Sequence, residues 1–367
     1  MLKVFCAPTR YTQGRNATAQ LGAEIAALGL KGPALIIAGR SAIRLLDATW
    51  KNSLSEAGIP FTVFAFNGEC SLAEIERGKA AARAINAEVI IGAGGGKVLD
   101  TARAVASDLV LSVVNCPTIA SSDAPCSALS VVYTDSGEFE QYRVYRRNPD
   151  LVLVDTEVIA KSPARFLTAG MGDALATWFE ARACAQGKVK NMRGGASTIS
   201  ALALAELCYK TLLADGTGAL KALRQKEATP ELERLVEANT LLSGLGFESS
   251  GLAAAHAVHN GLTTIAATHR YMHGEKVAFG VIVQLMLERQ SEKVLNEVLA
   301  FSTSVGLPIT LAGIGIQDPS MDILEQIAIR STAKGETIHN EPFPVTSQSV
   351  IEALKAADAA GERFLAA

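Results

Sequence analysis

Short apolar runs rich in β-branched residues alternate with amphipathic stretches through the first half of the chain. Ala34-Leu-Ile-Ile-Ala38, Phe61-Thr-Val-Phe-Ala-Phe66, Val89-Ile-Ile91, Leu111-Ser-Val-Val-Asn-Cys116 and Leu151-Val-Leu-Val154 read as strands buried on both faces. Between them, Gln13–Leu30, Ser41–Ala57 and Ser71–Asn86 carry helical spacing, and a further helix begins at Lys97. Gly58 suits the end of the second of these helices, and Ser71 with Glu74 stands at capping-box spacing before the third. Strands alternating with helices predict a parallel sheet covered on both sides, a Rossmann-like α/β domain. Ser127–Thr134 and Gln141–Arg146 read as an additional β-ribbon turning at Asp135-Ser-Gly137.

After Lys161-Ser-Pro163 the strand signal stops. Helical stretches follow at roughly Pro163–Gln186, Gly195–Leu213, Pro230–Ser243, Gly251–Ala267, Glu275–Glu288, Val294–Val305, Met321–Ala333 and Ser347–Ala359. The expected organisation is therefore an α/β domain over 1–162 and an all-α domain over 163–367.

One stretch of the first half carries chemistry. Glu88-Val-Ile-Ile-Gly-Ala-Gly-Gly-Gly-Lys-Val98 is a strand, a glycine turn and a helix start, the arrangement that presents backbone N–H groups to a phosphate. The helix dipole contributes about half a positive charge there, and Lys97 adds a full one. Gly92, Gly94, Gly95 and Gly96 remove side chains where the backbone turns sharply. The usual dinucleotide fingerprint is absent, since its last glycine would fall on Lys97. A Walker loop is excluded because Val98 follows that lysine.

Composition narrows the function classes. The 49% hydrophobic content over 367 residues supports large cores, and a net charge of −3 gives no electrostatic case for nucleic acid or an anionic membrane surface. No uncharged apolar stretch approaches the ~18 residues needed to span a bilayer. The start, Met1-Leu-Lys-Val-Phe-Cys6, lacks the apolar core of a signal peptide. Six scattered cysteines without a C-x-x-C pair fit free thiols in a reducing cytoplasm.

In the helical half, four of the five histidines (His256, His259, His269, His273) fall within Ala255–Gly274; the fifth is His339. His256 and His259 lie one turn apart. Asp173 follows Ala169-Gly-Met-Gly172 at the opening or continuation of an alanine-rich helix, where an unpaired carboxylate would be expensive to bury and a cation would satisfy it. Two imidazoles, one carboxylate and an open position make a catalytic zinc pattern. From the residues alone, His256 with His259 serves as well as His256 with His273.

Five segments together resemble the glycerol dehydrogenase branch of the iron-containing alcohol dehydrogenases. They are Gly92–Ala102, Pro117-Thr-Ile-Ala-Ser-Ser-Asp-Ala-Pro-Cys-Ser-Ala-Leu-Ser130, Ala169–Ala181, Gly251–Leu262 and His273-Gly-Glu-Lys-Val-Ala278, in the family's order. The resemblance implies a dehydroquinate synthase-like architecture, with the active site in the cleft between the two domains. It implies zinc ligands at Asp173, His256 and His273, and makes His259 a supporting or proton-relay residue. Gly94, Gly95, Gly96, Lys97 and Val98 match the pyrophosphate loop. Thr118, Ser121, Ser127, Leu129 and Tyr133 match positions along the nicotinamide, and Asp123 matches a carboxylate that contacts the polyol. A cytoplasmic homo-oligomer, often an octamer, is also implied. Arg40 departs from the pattern, since most relatives carry Asp directly after the glycine that ends the Ala34–Ala38 strand.

The expected activity is zinc-dependent oxidation of glycerol and related vicinal diols to dihydroxyacetone-type ketones, with NAD as hydride acceptor and NADP admitted through Arg40. A 2-oxo acid reductase of a related branch would want a cation facing its substrate carboxylate, where Asp123 would repel it. A lyase of the dehydroquinate synthase type would handle a highly charged phosphorylated substrate. A non-catalytic nucleotide-binding sensor would have little use for an intact set of metal ligands.

Overall fold

The computed structural model describes every residue of the chain other than Phe139. The strands are β1 (Arg10–Gly14), β2 (Ala34–Ala38), β3 (Phe61–Ala65), β4 (Val89–Gly94), β5 (Ser112–Pro117), β6 (Leu129–Tyr133), β7 (Phe139–Val144) and β8 (Leu151–Asp155). Six of them form one sheet in the order β1-β8-β5-β4-β2-β3, with every pair parallel. β6 and β7 form the separate antiparallel ribbon.

The continuous apolar runs are explained by the two layers of core. Ala34, Ile36 and Ala38 of β2, with Val89 and Ile91 of β4, face Leu21, Ile25, Leu46, Trp50 and Leu54 from the Leu21–Ala27 and Arg40–Glu56 helices. The intervening Leu35, Ile37 and Ile90 face Ile75, Ala82, Ala102 and Val105 from the Leu72–Ala84 and Gly96–Leu109 helices. A side-chain period of two thus feeds both faces, and neither can be polar. The chain leaves β2 toward β3, then crosses back to β4 and proceeds to β5. The strand order therefore reverses between β2 and β4, and ligands in open α/β sheets bind at the carboxyl ends of such neighbours.

β1 overlaps the start of the helix expected over Gln13–Leu30, and the helical part begins only at Ala17. Its sequence, Arg-Tyr-Thr-Gln-Gly, has no apolar alternation because it is a half-buried edge strand. Asp155, at the end of β8, holds the turn after it. Its carboxylate accepts the N–H groups of Asn16 (3.2 Å) and Thr18 (2.9 Å) and caps the Thr156–Ala160 helix.

The chain divides into two compact units, and the division differs from a single break at residue 162. Ala7–Pro163 and Ala222–Gly244 form one; Met1–Cys6, Ala164–Lys221 and Leu245–Ala367 form the other. The 222–244 segment joins the α/β unit through specific bonds. Asn239 donates to the Ala120 carbonyl at 3.1 Å, and the Tyr11 and Thr240 hydroxyls lie 2.9 Å apart. Residues 1–6 join the helical unit by backbone pairing of Val4 N–H with the Ala196 carbonyl.

In the helical unit the Ala164–Gly187 and His273–Leu287 helices cross closely. A Cβ on Gly172 would collide with the Gly274 carbonyl, and one on Gly274 with the Ala169 carbonyl. Gly280 meets the Ala255 carbonyl of the Ala254–Leu262 helix in the same way. Missing side chains therefore set the spacing at which Asp173, His256 and His273 meet. No helix among the described residues is long and apolar enough to cross a membrane.

Candidate active site

Asp173 lies in the interior of the Ala164–Gly187 helix, 1% exposed, so it does not cap that helix. His256 stands in the first turn of Ala254–Leu262, and His273 is the first residue of His273–Leu287. Glu275 holds that helix start, accepting the Met272 N–H at 2.7 Å while Arg165 pairs with it at 2.7 Å. His273 Nε2 lies 3.1 Å and His256 Nε2 3.4 Å from Asp173 Oδ1. One donor atom from each of the three residues falls within 4.8 Å of the others. His259, one turn from His256, turns instead to His273: its Nε2 is 2.9 Å from His273 Nδ1. His269 and His339 face backbone carbonyls, of Thr263 at 2.9 Å and Thr332 at 3.2 Å.

The electrostatics of this cluster follow from its burial. Burial pushes the Asp173 carboxyl up, but His273 and His256 outweigh it and hold the carboxyl well below its usual range. Burial pushes the His256 imidazole down, and Glu180 and Asp173 override it, raising the ring well above its ordinary value. His259 is lowered well below its ordinary value by burial and by the neighbouring His273, Lys276 and His256. Two imidazole nitrogens and a buried carboxylate oxygen within 4.8 Å of one another are a donor set that suits a divalent ion. A bound cation would take the place of protons on the imidazoles.

In the α/β unit the glycine turn has a different physical basis from the expected one. None of Gly92, Gly94, Gly95 and Gly96 has a positive φ. Close packing requires three of them: a Cβ would meet Ala102 at 2.7 Å from Gly92, Val98 at 2.7 Å from Gly94 and Ile119 at 2.8 Å from Gly95. A Cβ on Gly96 would find only Ser122 Oγ, at 3.9 Å, so packing does not demand glycine there. Gly95 caps the Gly96–Leu109 helix without a side-chain bond, which suits close approach of a phosphate to the helix start. Lys97, half exposed, pairs with Glu69 and sits 5.3 Å from the centre of the Tyr133 ring. Its charge is therefore shared with a carboxylate. Arg40 is the exposed first residue of the helix after β2, next to β4 in the sheet.

The long loop after β5 is pinned at several points. Thr118 N–H donates to the Gly94 carbonyl at 3.0 Å, and Asn115 to that of Pro125 at 2.8 Å. Arg103, 2% exposed, bonds the Ala124 carbonyl and Asp100. Asp123 is held by Ser243, whose hydroxyl donates to Oδ2 at 2.9 Å. Ser243 follows a π turn over Ala238–Leu242, and a Cβ on Gly244 would lie 3.0 Å from Cys126 Cβ. Ser121 is half-buried; Ser127 is buried and bonds the Ala124 carbonyl at 3.3 Å. Leu129 and Tyr133 share the half-buried face of β6, opposite buried Ser130 and Val132.

Known proteins are similar to this chain over nearly its whole length. The family model for iron-containing alcohol dehydrogenase matches residues 8–156. A glycerol dehydrogenase of Pseudomonas putida is 51% identical, over 98% of both chains. The chain belongs to the iron-containing alcohol dehydrogenase family. With that membership comes an oxidoreductase role. A glycolaldehyde reductase of Halobacterium salinarum is 50% identical, over 99% of both chains. The crystal structure of glycerol dehydrogenase from Schizosaccharomyces pombe superposes with a TM-score of 0.95 at 37% identity, covering 99% of this chain and 92% of that one.

Reading the sequence missed Glu180, Ser243 and Asn239. Glu180 carried a usable signal: it follows Asp173 at i+7, so the two share a helix face in an otherwise apolar stretch. Ser243 and Asn239 carried none, because their partners lie far off in sequence.

Proposed function

We propose that the protein oxidises the secondary hydroxyl of glycerol, giving dihydroxyacetone, and that of related vicinal diols, giving the corresponding hydroxyketones, with hydride transfer to NAD+ or, alternatively, NADP+. The observation that carries this reading is the convergence of Asp173, His256 and His273 within 4.8 Å, in a chain half identical to a glycerol dehydrogenase. These three residues would hold zinc, which as a bound Lewis acid lowers the pKa of a hydroxyl. Asp123 accepts from a second substrate hydroxyl and so favours diols over simple alcohols; the Ser243 bond supports this by fixing the carboxylate. The N–H groups from Gly94 to Val98 take the pyrophosphate, with Gly96 left open by packing. Thr118, Ser121, Ser127, Leu129 and Tyr133 line the nicotinamide, which receives the hydride. The working form is proposed to be a cytoplasmic homo-oligomer.

The test is a substrate panel assayed with NAD+ and NADP+, with zinc measured on the same sample. Glycerol and other vicinal diols should outrank 2-propanol in kcat/KM. A zinc-loaded protein that turns over none of them would overturn the reading. The Halobacterium relative favours one rival, an aldehyde reductase, so glycolaldehyde with NADH belongs in the panel. A much higher kcat/KM for glycolaldehyde than for dihydroxyacetone would support that rival instead.

A further inference from the structure

We propose that Glu180 is a positioning residue that fixes the tautomer of His256 and so makes Nε2 the metal-binding atom. This rests on the reading of Asp173, His256 and His273 as metal ligands. Glu180 is fully buried, two helical turns after Asp173 on the same face. Three donors converge on its carboxylate. The N–H groups of Ala253 and His256 each lie 2.9 Å from Oε1, and His256 Nδ1 lies 2.6 Å from Oε2.

A carboxylate only accepts, so the neutral ring that binds a metal carries its hydrogen on Nδ1 and keeps its lone pair on Nε2. Nε2 is the nitrogen that faces Asp173. The same side chain thereby holds both the imidazole and the helix start that carries it. The next two N–H groups of that first turn have separate acceptors, Glu341 Oε1 for Ala254 (3.2 Å) and Gln284 Oε1 for Ala255 (3.0 Å). Losing one acceptor therefore leaves the helix start partly satisfied.

An amide of the same shape cannot do this work. With its NH2 toward Nδ1, the ring must accept there, moving the hydrogen to Nε2 and removing the lone pair a metal needs. With its NH2 toward the backbone, two N–H groups face a donor. Either orientation of Glu180→Gln opposes metal binding while preserving volume.

The experiment strips the full-length protein of metal and titrates it with zinc against a competing chelator, in wild type and Glu180→Gln, with helicity followed by circular dichroism. The expected result is native helicity and zinc affinity lowered about 10- to 100-fold, the range seen when a group supporting a ligand is lost. Zinc-loaded wild type labelled with 15N-histidine gives a readout independent of the variant's folding: His256 should show a protonated Nδ1 and a coordinated Nε2. Coordination through Nδ1, or zinc affinity of Glu180→Gln within two-fold of wild type, would overturn the inference. A wild type that takes up no zinc would overturn the metal reading as well, whereas tight zinc binding unchanged in Glu180→Gln overturns this inference alone.

Discussion

His259 Nε2 stands 2.9 Å from His273 Nδ1, with the two rings meeting edge to face at a centroid distance of 4.2 Å. On its other side, His259 Nδ1 is 3.2 Å from Asn260 Oδ1, and Asn260 donates to Glu336 at 3.0 Å. The two neighbours in the sequence pattern thus have different work: His256 faces Asp173, and His259 faces the back of His273. His259→Ala should lower zinc affinity about ten-fold with the fold retained, as expected for loss of a group behind a ligand. A chelator competition titration checks this. Complete loss of metal in His259→Ala would make His259 itself a ligand.

Asp123 should act on diols selectively. Losing one hydrogen bond to a charged partner costs about 1.5–3 kcal/mol, so Asp123→Asn should lower kcat/KM for glycerol roughly ten-fold or more while sparing 2-propanol. Ser243→Ala, which removes the Ser243 hydroxyl as one donor to the carboxylate, should move the same ratio in the same direction by less. Equal losses on both alcohols would show that Asp123 serves only the loop.

Much of the fold and of the site is legible in the sequence. β2, β4 and β8 are legible because burial on both faces leaves each as an unbroken apolar run; β3, a partly exposed edge strand, is legible from its β-branched and aromatic residues, whereas β1 is half-buried and lacks either signature. Asp173, His256 and His273 were nameable through a family resemblance, but spacing alone could not choose between His259 and His273. That choice depends on the crossing at Gly172 and Gly274, which is a matter of distance in space. The 222–244 segment joins the α/β unit by bonds from Asn239 and Ser243, and polar residues inside a helical stretch do not announce a distant partner.

Arg40 offers a test of cofactor choice. It opens the helix after β2, beside β4 and its glycine turn, and its planar donors suit a 2′-phosphate where an Asp would repel one. A charge-assisted bond is worth about 1.5–3 kcal/mol, or roughly 10- to 150-fold. Arg40→Asp should lower the NADP+/NAD+ ratio of kcat/KM by at least the lower figure. An unchanged ratio would show that Arg40 does not read the 2′ position.

Glu341 gives a pH dependence of stability. Burial and the nearby Glu288 and Glu180 push its carboxyl up to about 8, against the partial relief of the Ala254 N–H and Arg182. The folded protein therefore holds a proton that the unfolded chain releases near pH 4.5. Its contribution to stability is fully present below about pH 4.5 and is lost as pH rises through about 8. Glu341→Gln, which imitates the protonated acid, should melt like wild type near pH 4.5 and at a higher temperature than wild type at pH 9. A wild-type advantage that grows with pH would contradict the sign.

The central claim is that Asp173, His256 and His273 hold the metal on which turnover depends. The direct measurement is metal content and kcat for glycerol oxidation in His273→Ala, with circular dichroism on the same sample. His273 is the half-exposed member of the three, so its truncation leaves little buried volume empty. The account predicts a folded protein that has lost zinc and turnover together. A metal-free His273→Ala protein with wild-type kcat would contradict it.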